Sequence, residues 1–369
     1  MGFIREVFLS TSLERTPYVE GILRRLSGIP QREVADPEAL REEVLLRNPD
    51  PIKEGKSILF ISNYPGELVK GCPGTKGHIC CGYRVINLLV GCPMDCTYCI
   101  LQSYINNPYI ALYPRIELIF DRVREMVETT PDHVLRFGTG ELSDSLALDD
   151  LVGFSQEAIP FFASLGKALL ELKTKAARVD HLLRLEHKGR TVLAWSLNPE
   201  GIVLEEESGT APLEHRLSAA RLCQEVGYPL AFHFDPIIEY PGWEEDYRRL
   251  IEALARQIDP SGVIWISMGC LRFPPPLKGI ITERFPRSRV LLGELFPAED
   301  GKFRYLKPLR IQIYRKVLGW LREWDEGLFV YLCMERDDVW REVFGKSPRS
   351  TAGLVAAFDE RVREFLRRW

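Results

Sequence analysis

The stretch RVINLLVGCPMDCTYCILQ (84–102) joins an apolar run to a loop carrying Cys92, Cys96 and Cys99. RVINLLVG is dense in branched apolar residues and ends on glycine, the pattern of a buried strand running into a turn. Three thiols then follow within eight residues, spaced C-x3-C-x2-C among Gly91, Pro93 and polar residues. Inert core thiols need no glycine and proline around them. Cysteine thiolates hold iron–sulfur clusters, usually four to a cubane, and three leave one iron open to an outside ligand. Zinc is the alternative, but it takes four ligands in paired C-x2-C spacing, which only Cys96 and Cys99 meet.

Outward from this loop the chain alternates. YIALYP reads as a strand, helix IELIFDRVREMVE precedes strand HVLRFGTG, and helix DLVGFSQEAIPFFASLG precedes strand ALLELKT. VDHLLRLEHKG then precedes TVLAWSLNP, PLEHRLSAARLCQEVG precedes YPLAFHFDP, and WEEDYRRLIEALARQI precedes VIWISMG. Short apolar strands separated by amphipathic helices with glycine punctuation indicate βα units around a parallel sheet. About six units fit between Tyr83 and Gly269, fewer than the eight of a closed barrel. Upstream, 18–47 reads as helix, extended segment and helix, NPDPIKEGK as a linker and SILFIS as a buried strand. GELVKGCPGTKGHICCGY reads as a functional loop.

Chemistry in parallel α/β folds collects at the C-terminal ends of strands. That rule selects the three cysteines, then Gly138, Gly140, Glu141, Ser143 and Asp144, then Lys173 and Lys175. Ser196, Asn198, His233, Asp235 and Cys270 complete the set, whereas His181 and His215 fall on expected helices. Cys223 lies on an apolar helical stripe and reads as core.

The chain has 369 residues, 46% hydrophobic and 27% charged, enough for a large core. No apolar run approaches a membrane span and no leader pattern opens the chain, so a cytoplasmic protein with no membrane partner is expected. Nine unevenly distributed cysteines fit a reducing compartment with thiols used as ligands. A net charge of −4 excludes a protein that coats nucleic acid through bulk charge. A local basic run from Lys302 to Arg322, interleaved with Phe303, Tyr305 and Tyr314, stands against that background as a binding surface or a solvated helix face.

The spacing of the triad after a first strand, with Tyr98 before its last cysteine, resembles the radical S-adenosylmethionine enzymes. The wider text resembles the spore photoproduct lyase family, in GCPMDCTYCILQSY, ELSDS, TKAARVDHLL, WSLNP, RFPPPLKGIITERFP and the long block from Glu214 to Leu250. The resemblance implies a partial (β/α)6 TIM-type barrel over 83–270, with an N-terminal extension over 1–82 and a C-terminal α+β region over 271–369. It also implies cleavage of a thymine dimer in DNA by a 5′-deoxyadenosyl radical, with a reductant such as flavodoxin or ferredoxin. Carried over by motif, Cys92, Cys96 and Cys99 bind a 4Fe–4S cluster, with Tyr98 beside it. Ser143, Asp144, Lys175 and Ser196, with neighbouring Asn198, meet S-adenosylmethionine.

Two positions depart from the family. Glu141 stands where the lyases carry the cysteine that returns a hydrogen atom to the product radical, and Ile100 where they carry a second tyrosine. A carboxylate O–H bond is too strong to donate a hydrogen atom readily, so Cys270 is the candidate replacement. Cys72, Cys80 and Cys81 are candidates for a second cluster, with Cys333 as a distant fourth ligand, or for a structural loop. Arg304, Tyr305, Lys307 and Arg310, in a segment corresponding to the family's lesion-binding hairpin, are candidates for gripping phosphates and stacking a base. The remaining alternatives are a radical enzyme on another substrate (a nucleotide, an RNA base or a peptide) and a non-catalytic iron–sulfur protein.

Overall fold

The computed structural model describes residues 2–47, 50–63 and 66–367. Seven parallel strands build the central sheet: β1 (Arg84–Ile86), β2 (Leu135–Gly138), β3 (Ala168–Thr174), β4 (Thr191–Ser196), β5 (Leu230–Ile237), β6 (Val263–Cys270) and β7 (Val330–Leu332). They pair in chain order, and Val69–Gly71 adds an antiparallel edge beside β1. Curled into a half-barrel, the sheet is a mixed α/β architecture whose strands are buried along nearly their whole length. Their near-continuous apolar runs follow from being covered on both faces. Trp195 and Trp265 are fully enclosed.

Pairing register brings the functional ends into line. Thr174 pairs with Trp195, Ser196 with His233 and Ile237 with Cys270, so the residues just beyond them share one rim. At the other end the helix Thr351–Leu366 plugs the barrel, with Phe358 in edge or tilted contact with Trp265, Phe329 and Tyr331.

Several expectations are corrected here. RVINLLVG is two strands: Arg84–Ile86 enters the barrel, whereas Leu89–Val90 turns away into a second sheet. YIALYP supplies Ile110–Leu112 to that same sheet, which runs Gln31–Val34, Glu6–Ser10, Ile58–Ile61, Ile110–Leu112, Leu89–Val90. Its apolar composition suits either sheet, and only the pairing with Ile58–Ile61 selects one. VDHLLRLEHKG forms turns rather than a helix, so β3 and β4 join without a crossover helix and His181 sits in a turn, donating to or accepting from Asp149 at 2.8 Å. Of the expected linker, 48–49 lies outside the described residues, and Pro51–Gly55 is a short helix. Strands cross the divisions expected at 82/83 and 270/271: Val69–Gly71 and β7 both belong to the barrel sheet. Among the described residues no helix is long and apolar enough to cross a membrane.

Candidate active site

The loop bearing Cys92, Cys96 and Cys99 is held from outside by its backbone. Lys56 donates to the carbonyls of Cys92 (3.2 Å) and Met94 (2.7 Å) and pairs with Asp95 at 3.6 Å. Arg284 ties Asp95 (3.0 Å) to Asp50 (2.9 Å) and also donates to Gln102. Gln102 in turn donates to the carbonyls of Cys96 and Thr97, at 3.0 and 3.1 Å. Asp95–Cys96 forms a short antiparallel pairing with Glu207–Ser208, and Thr97 N–H donates to Glu206 O at 2.9 Å. Gly91 permits the close approach: its φ is +101°, and a Cβ there would stand 3.1 Å from Ile110 Cα.

With the backbone committed outward, the thiols are left unbridged. Burial, aided by the Asp144 carboxylate, pushes the Cys92 thiol up to about 12. Burial likewise raises Cys96, and Lys175 opposes it. Thiols so placed ionise when a metal replaces the proton.

The Ser143 hydroxyl is buried with no hydrogen-bond partner, and the preceding Leu142 O accepts from Gly91 N at 2.9 Å. Asp144 is committed to its own loop and strand: Oδ1 accepts from Leu146 N (3.0 Å), Ala147 N (2.9 Å) and Thr174 Oγ1 (2.7 Å), and Oδ2 from Lys175 N (2.7 Å). It fixes the backbone of Lys175 and ties its own loop to the end of β3. The Lys175 ammonium stands 5.7 Å from the centre of the Tyr98 ring.

Tyr98 is locked in a buried network. Its hydroxyl donates to Glu207, and Asn198 Nδ2 donates to both, at 3.1 Å to Tyr98 and 2.9 Å to Glu207. Tyr247 donates to Asn198 Oδ1 at 2.7 Å, and Arg216 closes the set with Glu207 at 2.6 Å, both fully buried. Arg216 also donates to Ser196 O at 2.9 Å. Burial works to raise the Glu207 carboxyl, but Lys175 and Arg216 outweigh it and hold it below the ordinary carboxylate range.

Further along the rim, Lys173 pairs with Glu141 at 2.8 Å. Beyond them Asp235 and Arg272 form a two-pronged pair, each contact 3.0 Å, and Arg272 Nη2 reaches Cys333 Sγ at 3.5 Å. Below the rim His233 Nε2 and Glu171 Oε1 share a hydrogen bond of 2.7 Å.

A family model for spore photoproduct lyase matches residues 80–307. This chain belongs to the spore photoproduct lyase family. It is 32% identical over 212 residues to the spore photoproduct lyase of a Geobacillus species, covering 57% of this chain and 62% of that protein. To the Bacillus subtilis spore photoproduct lyase it is 34% identical over 212 residues, with the same shares. The match thus spans under two thirds of these relatives' length. A solved spore photoproduct lyase complexed with dinucleoside spore photoproduct superposes with a TM-score of 0.79 at 26% identity, over 89% of this chain and 98% of that one. A variant with bound AdoMet and dinucleoside spore photoproduct gives 0.78 at 25%, over the same shares.

Against the family pattern, the structure gathers Tyr98, Ser143, Asp144, Lys175, Ser196 and Asn198 around the cysteine loop through the contacts above. It does not do so for Cys270. That buried thiol is engaged by the Tyr314 hydroxyl, with Glu335, Arg310 and Arg272 as its next charged neighbours. The thiols that feel the Glu141 charge are Cys72 and Cys333, the latter raised by burial and by Asp235. The basic cluster is corrected too. Arg304 pairs with Asp300 at 2.6 Å, Arg310 with Glu335 at 2.9 Å, and both arginines are buried. Tyr305 is 1% exposed and accepts from Glu239 N at 2.9 Å, while exposed Lys307 pairs with Asp338. Neutralising acids on either side of the run were the missing information.

Glu207, Arg216, Tyr247, Lys56 and Arg284 lie outside the set that the strand-end rule and the family pattern select. Arg216 carries a signal all the same, as a charge within the apolar face Leu213, Leu217, Ala220 of its helix. The others gain meaning only from contacts across the fold.

Proposed function

We propose that this chain is a radical S-adenosylmethionine enzyme acting on a DNA lesion of the thymine-dimer class. The observation that carries the reading is the outward-pinned loop of Cys92, Cys96 and Cys99, with the Lys175 ammonium beside Tyr98 and an unpartnered buried hydroxyl, Ser143, on the adjoining strand-end loop. Three thiols would hold a 4Fe–4S cluster, and Ser143 and Lys175 would meet the polar groups of S-adenosylmethionine. When bound, that pair supplies a 5′-deoxyadenosyl radical by reductive cleavage of a C–S bond, given a one-electron donor such as flavodoxin or ferredoxin.

The chain's own residues orient and enclose. The Glu207, Asn198 and Arg216 network fixes Tyr98 and leaves it one orientation beside Lys175. Asp144 holds the loop and strand end in register. Burial opposes the proton on Lys173, but Glu141 outweighs it and keeps the ammonium charged at the rim. The hairpin Leu295–Pro297 with Phe303–Tyr305 presents exposed Phe296, with Leu292 nearby in sequence, as an apolar surface suited to bases.

Anaerobic reconstitution with iron and sulfide, followed by reductant and S-adenosylmethionine, should yield 5′-deoxyadenosine. A dinucleoside lesion of the spore photoproduct type should be restored to two thymines. No deoxyadenosine from an iron-loaded protein would sink the reading. Deoxyadenosine without repair would support a second reading, a different nucleotide or peptide substrate, which the ion-paired Glu141 at the hydrogen-donor position favours.

A further inference from the structure

The segment 72–82 crosses the open side of the half-barrel. Cys72 N donates to Tyr83 O at 2.8 Å beside the Val69–Gly71 edge, and Ile79 N donates to Glu335 O at 2.9 Å just beyond β7, the opposite edge. Lys302 Nζ donates to Thr75 at 3.0 Å, and Cys80 N to Thr351 Oγ1 at 3.1 Å. The segment is a strap, and Cys80 links its three thiols: the Cys80 side chain is hydrogen-bonded to both Cys72 and Cys81. Gly74, at φ +58°, lets the chain fold over so closely that a Cβ there would lie 3.2 Å from Cys80 Sγ. All three thiols line a cavity of about 310 Å³, together with Arg84, His133 and Arg136. Arg136 is 4% exposed and its Nη1 has no hydrogen-bond partner.

We propose that Cys72 and Cys80 are a reversible redox-modification site, converted to an intrachain disulfide by a small disulfide that carries carboxylates. Thiolates on separate irons of a cluster are held apart by it, whereas these thiols touch, which is the arrangement for exchange rather than for a second cluster. In the first step the Cys72 thiolate attacks one sulfur of the small disulfide, breaking its S–S bond and releasing one thiolate. The Cys80 thiol then loses its proton and attacks Cys72 Sγ of the mixed disulfide, releasing the second thiol. The two cysteines lose two electrons and two protons, and the small disulfide gains them. The hydrogen bond from Cys80 lowers the Cys72 thiol, which suits it to be the attacking group. The cationic wall of Arg136 suits a carboxylate-bearing disulfide such as oxidised glutathione.

The site is separate from the Cys92–Cys99 loop, so absence of deoxyadenosine formation leaves the test intact. Iron-loaded full-length protein is incubated with oxidised glutathione, alkylated, digested and mapped by mass spectrometry. The expected product is a Cys72–Cys80 cross-linked peptide, reversed by dithiothreitol, with iron content unchanged. C80S should instead trap glutathione on Cys72. If C80S does not fold, the cross-link in the unaltered chain still decides. Cys72 and Cys80 both remaining alkylatable overturns the proposal. So does a halving of iron content in C72S/C80S, which would mark the strap thiols as ligands of a second cluster.

Discussion

Two cysteine triads lie barely a dozen residues apart, and they are built in opposite ways. Around Cys92, Cys96 and Cys99, Lys56 and Gln102 donate to backbone carbonyls, the Glu207–Ser208 strand pairs with Asp95–Cys96, and Arg284 holds the Asp95 and Gln102 side chains. Around Cys72, Cys80 and Cys81 the backbone is anchored by Tyr83, Thr351 and Arg136, and the Cys80 side chain bonds to the other two thiols. Similar local density of one residue type therefore serves different ends. A ligand set needs a rigid backbone and separated sulfurs, with outer contacts fixing the inner ones. A strap that ties two sheet edges needs only a few anchors.

The largest way to break this contrast is C96A. Iron content should fall to background after reconstitution and deoxyadenosine formation with it, while the strap thiols stay alkylatable as before. R216A comes next, because it strands the Glu207 carboxylate in a fully buried site. Breaking such a pair costs about 3–5 kcal/mol, to be read as a lower midpoint in urea unfolding, and it should free Tyr98 as well. R284A attacks the outer grip without touching a thiol. Loss of outer-shell support typically weakens metal affinity about 10–100-fold, so iron should leave the variant correspondingly faster under a chelator; an unchanged rate would mean that Asp95 and Gln102 do not need their arginine. The smallest effect belongs to the strap: G74A forces a side chain into left-handed backbone, costing about 1–2 kcal/mol, with iron loading unaffected. A loss of iron in G74A would erase the distinction between the two triads.

How far the sequence could be read follows from where each signal is written. The βα alternation from HVLRFGTG to VIWISMG is local, since strands and helices each carry their own periodicity; five of the seven parallel strands are visible that way, and RVINLLVG supplies the sixth. The seventh, Val330–Leu332, is three residues long and lies beyond the segment counted as barrel; it becomes a barrel strand only by pairing with β6. Ile110–Leu112 shows the same limit from the other side, apolar enough for either sheet and allotted by its neighbour Ile58–Ile61. Charge is partnered across the fold for a related reason. Arg304 and Arg310 looked free because Asp300 and Glu335 stand outside the run that was counted.

The sequence by itself determined the three closely spaced thiols, the repeat that presents them at strand ends, and the acid Glu141 at another of those ends. Tertiary structure alone decided what those groups face: Lys173 for Glu141, the Glu207 and Arg216 network for Tyr98, Tyr314 for Cys270, and one another for the strap thiols. Identity and spacing are properties of the chain near one residue, whereas a partner such as Lys173 for Glu141, 32 positions away, or Glu207 for Tyr98, 109 away, is chosen by how sheets close and which faces they bury.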